Sequence, residues 1–245
     1  MCSKKIGVVT QARMTSTRLP GKVLLQAGGK TLLQHHTDRL REAGLDVYIA
    51  TTTNTTDDVI AEFAQQEGLK YCRGDEQHVL SRFYTCATKN ELDVIVRVTS
   101  DCPLIDGHLI KDAIQKYLTL EDDLVYLSNV LDRTYPRGFD FEIFSIRLLE
   151  ETYRKARAQP EIEHVTPYIY QQKIKGTKLV HYTRTTDASQ YRLTVDTLED
   201  LQLIRTLIEE HQAQHLSAEE IIRIMEITPE LSKVNAHVEQ KKLSE

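Results

Sequence analysis

The chain lacks the features that mark a membrane, secreted or nucleic-acid-binding protein. Its four cysteines, Cys2, Cys72, Cys86 and Cys102, show no paired short spacing and no histidine partner at zinc-finger distance. That removes a disulfide framework and a zinc finger, and leaves thiols of the kind that pack as small core residues. There is no signal-peptide h-region and no apolar run of bilayer length, so a reduced, cytoplasmic protein with no membrane partner is expected. Basic charge is not in excess: 31 Lys and Arg stand against 36 Asp and Glu, for a formal net charge of -5 and a pI of about 6.0. Such a balance argues against nucleic acid as the main partner and makes any anion site local. No repeat, Gly/Ser linker or low-complexity tract divides the 245 residues, a length at which an α/β chain commonly stays one domain. Three signatures are also missing. Neither Gly-x-Gly-x-x-Gly nor Gly-x-Ser-x-Gly occurs, and Gly21-Lys22 lacks Walker spacing, so dehydrogenase, serine-hydrolase and P-loop readings lose support.

Against these absences stands one dense stretch, Ile6 to Lys22. It begins as a short apolar run that reads as a buried strand and changes abruptly into small polar residues, two arginines, a Pro-Gly break and a lysine. Arg13, Arg18 and Lys22 follow that strand with no carboxylate between Lys5 and Lys22. Three cations at the carboxyl end of a strand, where α/β sheets take ligands, point to polyphosphate.

Downstream, hydrophobic periodicity alternates. Helices are predicted over 31–43, 57–67, 76–89 and 107–120, and strands over 46–53, 69–72, 93–99 and 124–129. Short loops between them imply right-handed β-α-β crossovers and a mostly parallel sheet. The segment 132–142 reads as irregular. Two helices over 145–158 and 161–173, strands over 178–184 and 191–195, and one helical run over 198–226 complete the pattern, with a frayed end from Ala236.

Two aspartates, Asp101 and Asp196, each follow a predicted strand, and strand ends on one edge of a parallel sheet converge on one cleft. Facing a polyphosphate loop they would suit magnesium, which favours one or two carboxylates plus phosphate oxygens and waters. Either could equally be a turn former or helix N-cap, Asp196 above all, ahead of Thr197-Leu198-Glu199-Asp200. Arg137, between Pro136 and Gly138, is set to aim a guanidinium at a carboxylate. His164 in Glu163-His164-Val165-Thr166-Pro167-Tyr168 could be a packed residue or a site residue.

Together these pieces resemble the cytidylyltransferases that activate sugar acids as CMP-sugars, the 3-deoxy-manno-octulosonate and acylneuraminate enzymes. The resemblance is carried by Ala12-Arg13-x-x-Ser16-x-Arg18-Leu19-Pro20-Gly21-Lys22, by Ser100-Asp101-Cys102-Pro103-Leu104 and by Val195-Asp196-Thr197-x-Glu199-Asp200-Leu201, and it covers roughly residues 5 to 205. Tyr135-Pro136-Arg137-Gly138 and the His164 segment look most like the spore-coat polysaccharide biosynthesis branch. The resemblance implies a three-layer α/β/α, Rossmann-like (GT-A-like) fold in a single nucleotidyltransferase domain over 1–245. An inserted irregular and helical acceptor-side region would span about 130–176, ahead of a helical C-terminal tail. It implies Mg2+, CTP, a sugar-acid acceptor and a homodimer, with an acceptor hydroxyl attacking the α-phosphorus and pyrophosphate leaving. Carried over position by position, Ala12, Arg13, Ser16, Arg18, Lys22, Arg82 and Thr99 would hold the nucleotide. Lys22, Arg13, Asp101 and Asp196 would form the catalytic set, Asp101 and Asp196 the metal site, and Arg137, Glu142, His164 and Tyr168 the acceptor side. Thr99 stands where the octulosonate enzymes have a glutamine that helps read cytosine, which leaves base choice open. A GT-A glycosyltransferase that consumes a nucleotide-sugar, though no Asp-x-Asp pair stands at a strand end, and a nonenzymatic nucleotide sensor remain as rival readings.

Overall fold

Strands whose successive residues are both apolar must be covered on two faces. In the computed structural model, which describes residues 4–240, the elements run β1 (Ile6–Gln11), β2 (Gln26–Ala27), β3 (Lys30–Thr31), α1 (Leu32–Glu42), β4 (Val47–Thr52), α2 (Asp58–Gln66), β5 (Lys70–Gly74), α3 (Val79–Lys89), β6 (Val94–Thr99) and α4 (Gly107–Thr119). They continue as β7 (Val125–Ser128), β8 (Glu142–Ser145), α5 (Ile146–Lys155), α6 (Gln159–His164), α7 (Pro167–Tyr170), β9 (Lys178–His181), α8 (Leu198–His211), α9 (Ala218–Ile227) and α10 (Pro229–Lys233). Seven strands form one sheet in the order β5-β4-β1-β6-β8-β7-β9, with β2 and β3 as a separate small hairpin. Within the sheet every pairing is parallel except the two made by β8.

The period of two sorts the side chains. Val8, Ile49, Val96, Leu127 and Ile143 point to one face, beneath Leu33 and Leu40 of α1, Ile60 of α2 and Ile110 and Ile114 of α4. Their neighbours Val9, Tyr48, Ile95, Tyr126 and Phe144 point to the other, against Leu80 and Phe83 of α3 and Leu148 and Leu149 of α5. Three layers follow directly from that alternation. Cys72, Cys86 and Cys102 are buried and unbridged, whereas Cys2 lies outside the described residues. Among the described residues no helix is long and apolar enough to cross a membrane.

Where α1 and α4 cross, Gly107 lets the backbones meet. A β-carbon there would stand 2.4 Å from the Arg39 carbonyl oxygen and 3.1 Å from the Leu40 Cα, and neither atom can swing aside. Gly107→Val should therefore cost about 1–3 kcal/mol, read as a fall of several degrees in the thermal unfolding midpoint. An unchanged midpoint would show that the two helices separate freely.

Four elements differ from the sequence expectation, the first being the helix expected over 161–173, which is two short helices, α6 and α7, broken at Val165 with φ 71°. Residues 142–145 are not part of an irregular segment or a helix but form β8, wedged between β6 and β7. Only four residues long, it is ended by Ser145, whose hydroxyl accepts from Leu148 N to cap α5. The segment 191–195 is not a strand; it makes one isolated bridge, Arg137 with Arg192. The run over 198–226 breaks at Gln212, in the left-handed region with φ 53°, before a Ser217–Glu220 capping box opens α9.

Nor are the last helices an appended tail. Leu203, Ile204 and Leu207 of α8 and Ile221, Ile222 and Met225 of α9 share one core with Leu32, Leu104 and Phe139. Buried Arg39 on α1 ties them down, donating to the carbonyls of Ile105 (2.6 Å), Ala213 (3.2 Å), Gln214 (2.7 Å) and Leu216 (2.8 Å). Asp106 caps α4 with one oxygen and receives Ala218 N at 2.7 Å with the other.

Candidate active site

At the carboxyl ends of β1 and β6 a cleft of about 650 Å³ opens. The loop leaving β1 is folded back on itself to form one wall. Buried Asp57 accepts from Met14 N at 2.7 Å, and Gly21, at φ 68°, donates its N–H to Met14 O at 2.8 Å. This turn delivers Lys22 to the cleft floor.

There its ammonium lies 2.8 Å from Asp101 Oδ2, 2.8 Å from Asp196 Oδ1 and 2.8 Å from the Val195 carbonyl oxygen. Asp101 stands just beyond β6. Asp196 arrives on the chain that Val195 N ties to Asp101 O at 2.8 Å. The capping duty that Asp196 could have taken falls to Thr197, whose hydroxyl receives Asp200 N. Asp196 is left free to face Lys22. Its second oxygen takes Arg18 and Arg192, each at 2.7 Å. Burial alone would push the Asp101 carboxyl up, but the adjacent Lys22 ammonium holds it down, to about 2. Asp196 is lowered in the same way against its own burial, chiefly by Lys22. For Lys22 burial acts downward, yet the attraction of both carboxylates leaves its pKa raised. All three groups are therefore charged at neutral pH.

Arg13, 40% exposed, reaches Glu76 at 3.3 Å. Arg82 is buried beneath it, donating to Asp75 O at 3.1 Å. Burial, and then the charge of Arg13, lower the Arg82 pKa to about 10. Its buried Nε has no hydrogen-bond partner among the described residues. Arg137, also in the cleft lining, is pinned by its backbone to the segment that leads into Asp196, its N–H on Tyr191 O and its carbonyl on Leu193 N. Gly138, at φ 112°, passes so close that a β-carbon would meet the Leu193 carbonyl carbon at 2.7 Å. The Arg137 guanidinium makes no hydrogen bond or ion pair among the described residues. His164, which also lines the cleft, ends α6 at a three-residue turn. Val165 there has φ 71° and Thr166 N bonds back to His164 O at 2.8 Å, a strained conformation for a β-branched residue. Burial lowers the pKa of His164 and favours the neutral ring.

Of the residues singled out from sequence, Ala12, Arg13, Ser16, Arg18, Lys22, Arg82, Thr99, Asp101, Arg137, His164 and Asp196 all line this cleft. Glu142 and Tyr168 do not. Glu142 is buried on β8, where it ion-pairs with Arg97 and receives the hydroxyls of Tyr126 and Thr166, both at 2.5 Å; a carboxylate so fully engaged supports Arg97 and is not free for an acceptor. The ring of Tyr168 packs at the edge of the inner core with Lys173 over it. Residues missed in the sequence include Gln11 and Arg97 in the cleft, joined at 3.3 Å, and Arg192 behind Asp196. Arg97 had left a signal, a lone charge in an otherwise apolar strand. Arg192 had none, because its bonds to Asp196 and Asp200 depend on how the chain turns.

Asp101 and Asp196 already converge on one cation, and their oxygens suit a hard divalent ion. Among the described residues no third His, Cys, Asp or Glu completes a protein-only cage, so phosphate oxygens and waters would supply the rest. A family model described as cytidylyltransferase matches residues 7–227. This chain belongs to the cytidylyltransferase family. The structure of a cytidylyltransferase from Leptospira borgpetersenii is similar with a TM-score of 0.90 and 32% identity, over 98% of this cytidylyltransferase and 100% of that chain. The spore coat polysaccharide biosynthesis protein SpsF of Bacillus subtilis is 32% identical over 231 residues, 91% of this chain and 94% of its own. A 3-deoxy-manno-octulosonate cytidylyltransferase of Solibacter usitatus is 27% identical over 241 residues, 83% of this chain and 94% of its own.

Proposed function

We propose that this cytidylyltransferase transfers CMP from CTP to a hydroxyl of a sugar acid, with magnesium, for cell-surface polysaccharide or glycoconjugate synthesis. The observation that carries the reading is the charge gathered in one cleft. A cationic loop and two ionised carboxylates line it together with a further guanidinium, Arg137, that no carboxylate pairs among the described residues. The names of the relatives, a sugar-acid cytidylyltransferase and a polysaccharide biosynthesis protein, agree with it.

In this reading Arg13 and Arg18 bind the triphosphate with Lys22, and Arg82 adds its charge from beneath Arg13. Arg137 takes the acceptor carboxylate, and His164 offers a neutral ring to a sugar hydroxyl. The acceptor oxygen forms a bond to the α-phosphorus as the bond to the bridging oxygen of pyrophosphate breaks, and the hydroxyl proton is released. Magnesium held by Asp101 and Asp196 would offset charge on the phosphates. The remaining work is positioning, which rigid backbone ties at Met14, Arg137 and Val195 provide.

The test is a pyrophosphate-release screen of CTP, UTP, ATP and GTP against sugar acids and their neutral counterparts with magnesium. Release from CTP that requires a sugar acid is expected. Turnover with neutral sugars alone would overturn the acceptor class, and turnover with another nucleotide alone the base. In the same assay Arg137→Ala should raise the acceptor KM about tenfold to a hundredfold, the worth of a charge-assisted bond, and leave the CTP KM unchanged.

A further inference from the structure

Lys22 is asked to do two things that its bonds do not allow at once. An ammonium has three N–H groups, and here one goes to Asp101, one to Asp196 and one to the Val195 carbonyl, each at 2.8 Å. None is left for a phosphate. The carboxylates are equally committed: Lys22 sits between them, 12% exposed, where a divalent ion shared by Asp101 and Asp196 would have to be.

We propose that Lys22 is the resident counter-ion of the Asp101–Asp196 pair, and that a divalent cation displaces it only when nucleotide phosphates are present to receive its ammonium. The inference rests on the metal reading of the preceding subsection. Charge explains the order of events. Three carboxylates, Asp101, Asp196 and Asp200, meet three cations, Lys22, Arg18 and Arg192, so with Lys22 in place the site is already neutralised and offers a bare divalent ion no net attraction. Once Lys22 leaves for the phosphates, the pair presents both charges to the metal. The remaining contacts separate the partner that moves from the one that stays. Lys22 follows a left-handed glycine on a long unbranched stem, and a lysine makes a point contact that is easily exchanged. Arg192 is buried and bound through Nε and Nη2 to Asp200. That carboxylate also receives the N–H groups of Asp196 and Thr197, at 2.9 and 3.1 Å. Asn235 closes the set from behind, donating to Asp200 at 2.8 Å. Arg192 is thus a fixed positioning residue that keeps Asp196 aimed while Lys22 is exchanged.

Mn2+ binding to the full-length protein without nucleotide, counted from the paramagnetic resonance of the free ion, tests this. Wild type should bind Mn2+ weakly, and Lys22→Met should bind it about tenfold tighter or more, the worth of the charged hydrogen bonds no longer competing. Lys22→Gln, which retains polar contacts, guards against a folding failure and should show the same direction. Adding Asp101→Asn to either should abolish the gain. Lys22 variants that fold yet bind Mn2+ no tighter than wild type, while Mn2+ with a non-hydrolysable CTP analogue still requires Asp101, would overturn the exchange and leave the metal reading standing. Absence of any Asp101-dependent Mn2+ binding, with or without the analogue, would overturn both.

Discussion

Asp101→Asn should lower turnover about a hundredfold to a thousandfold, in the range seen when one preorganised electrostatic contact to a reacting group is removed. Its unfolding midpoint should shift by only a few degrees. Asparagine keeps the shape and one acceptor for Lys22, which also retains Asp196 and the Val195 carbonyl. The stability lost is that of one charge-assisted bond weakened to a neutral one, about 1–2 kcal/mol, or a few degrees for a chain of this size. The catalytic loss is larger because Lys22 holds the Asp101 carboxyl ionised, near 2, so a full charge is missing at assay pH. Steady-state kinetics and thermal unfolding on one preparation decide it. Turnover within a few-fold of wild type would remove Asp101 from the reaction.

Arg39→Ala should show the opposite signature, a midpoint about 6–20 °C lower. Four backbone carbonyls share this guanidinium. Without it, buried acceptors on the chain leading into α4 and on the α8–α9 connection lose their donor. Each such loss carries a desolvation penalty of about 1–3 kcal/mol, offset in part where water can enter. A total of about 3–5 kcal/mol is expected, in line with breaking a buried charged network, and at 2–4 °C for each kcal/mol in a chain of this size it gives that shift. Arg39→Lys should not restore stability, since an ammonium cannot span a fork of carbonyls on separate segments. A midpoint within about 3 °C of wild type would show that the C-terminal helices are held by apolar packing alone.

What the sequence disclosed followed the range of its signals. Runs such as Val94-Ile95-Val96 and the helix with Leu33 and Leu40 write their burial into a period of two or of three to four, so the β-α-β order was legible. The loop from Ala12 to Lys22 was legible because its chemistry is local and dense. β8 was not, since a four-residue strand entering antiparallel between two distant strands is selected by its neighbours and not by its own pattern. The same blindness hid Arg192, whose nearby partners Asp196 and Asp200 are reached only because the chain turns there, and Arg39, whose partners are backbone carbonyls far along the chain. Glu142 looked like a site residue because it belongs to a charged, irregular stretch; only the packing shows its charge spent on Arg97.

The reversed strand has a consequence for how this scaffold can change. Because β8 runs against β7 beside it, Ser128 and Glu142 are paired neighbours, and everything between them is a connection whose two ends the sheet clamps side by side. That connection carries Arg137 and Asp140 into the cleft. Within that stretch buried Tyr135 and Phe139 and the ties of the Arg137 backbone to Tyr191 and Leu193 fix the path, so side chains facing the cleft can change without altering the path of any strand. Neither the loop from Ala12 to Lys22 nor the pair Asp101 and Asp196 lies on it. Recognition on that side of the cleft can thereby change by substitution within one connection, while the loop from Ala12 to Lys22 and the pair Asp101 and Asp196 stay in place.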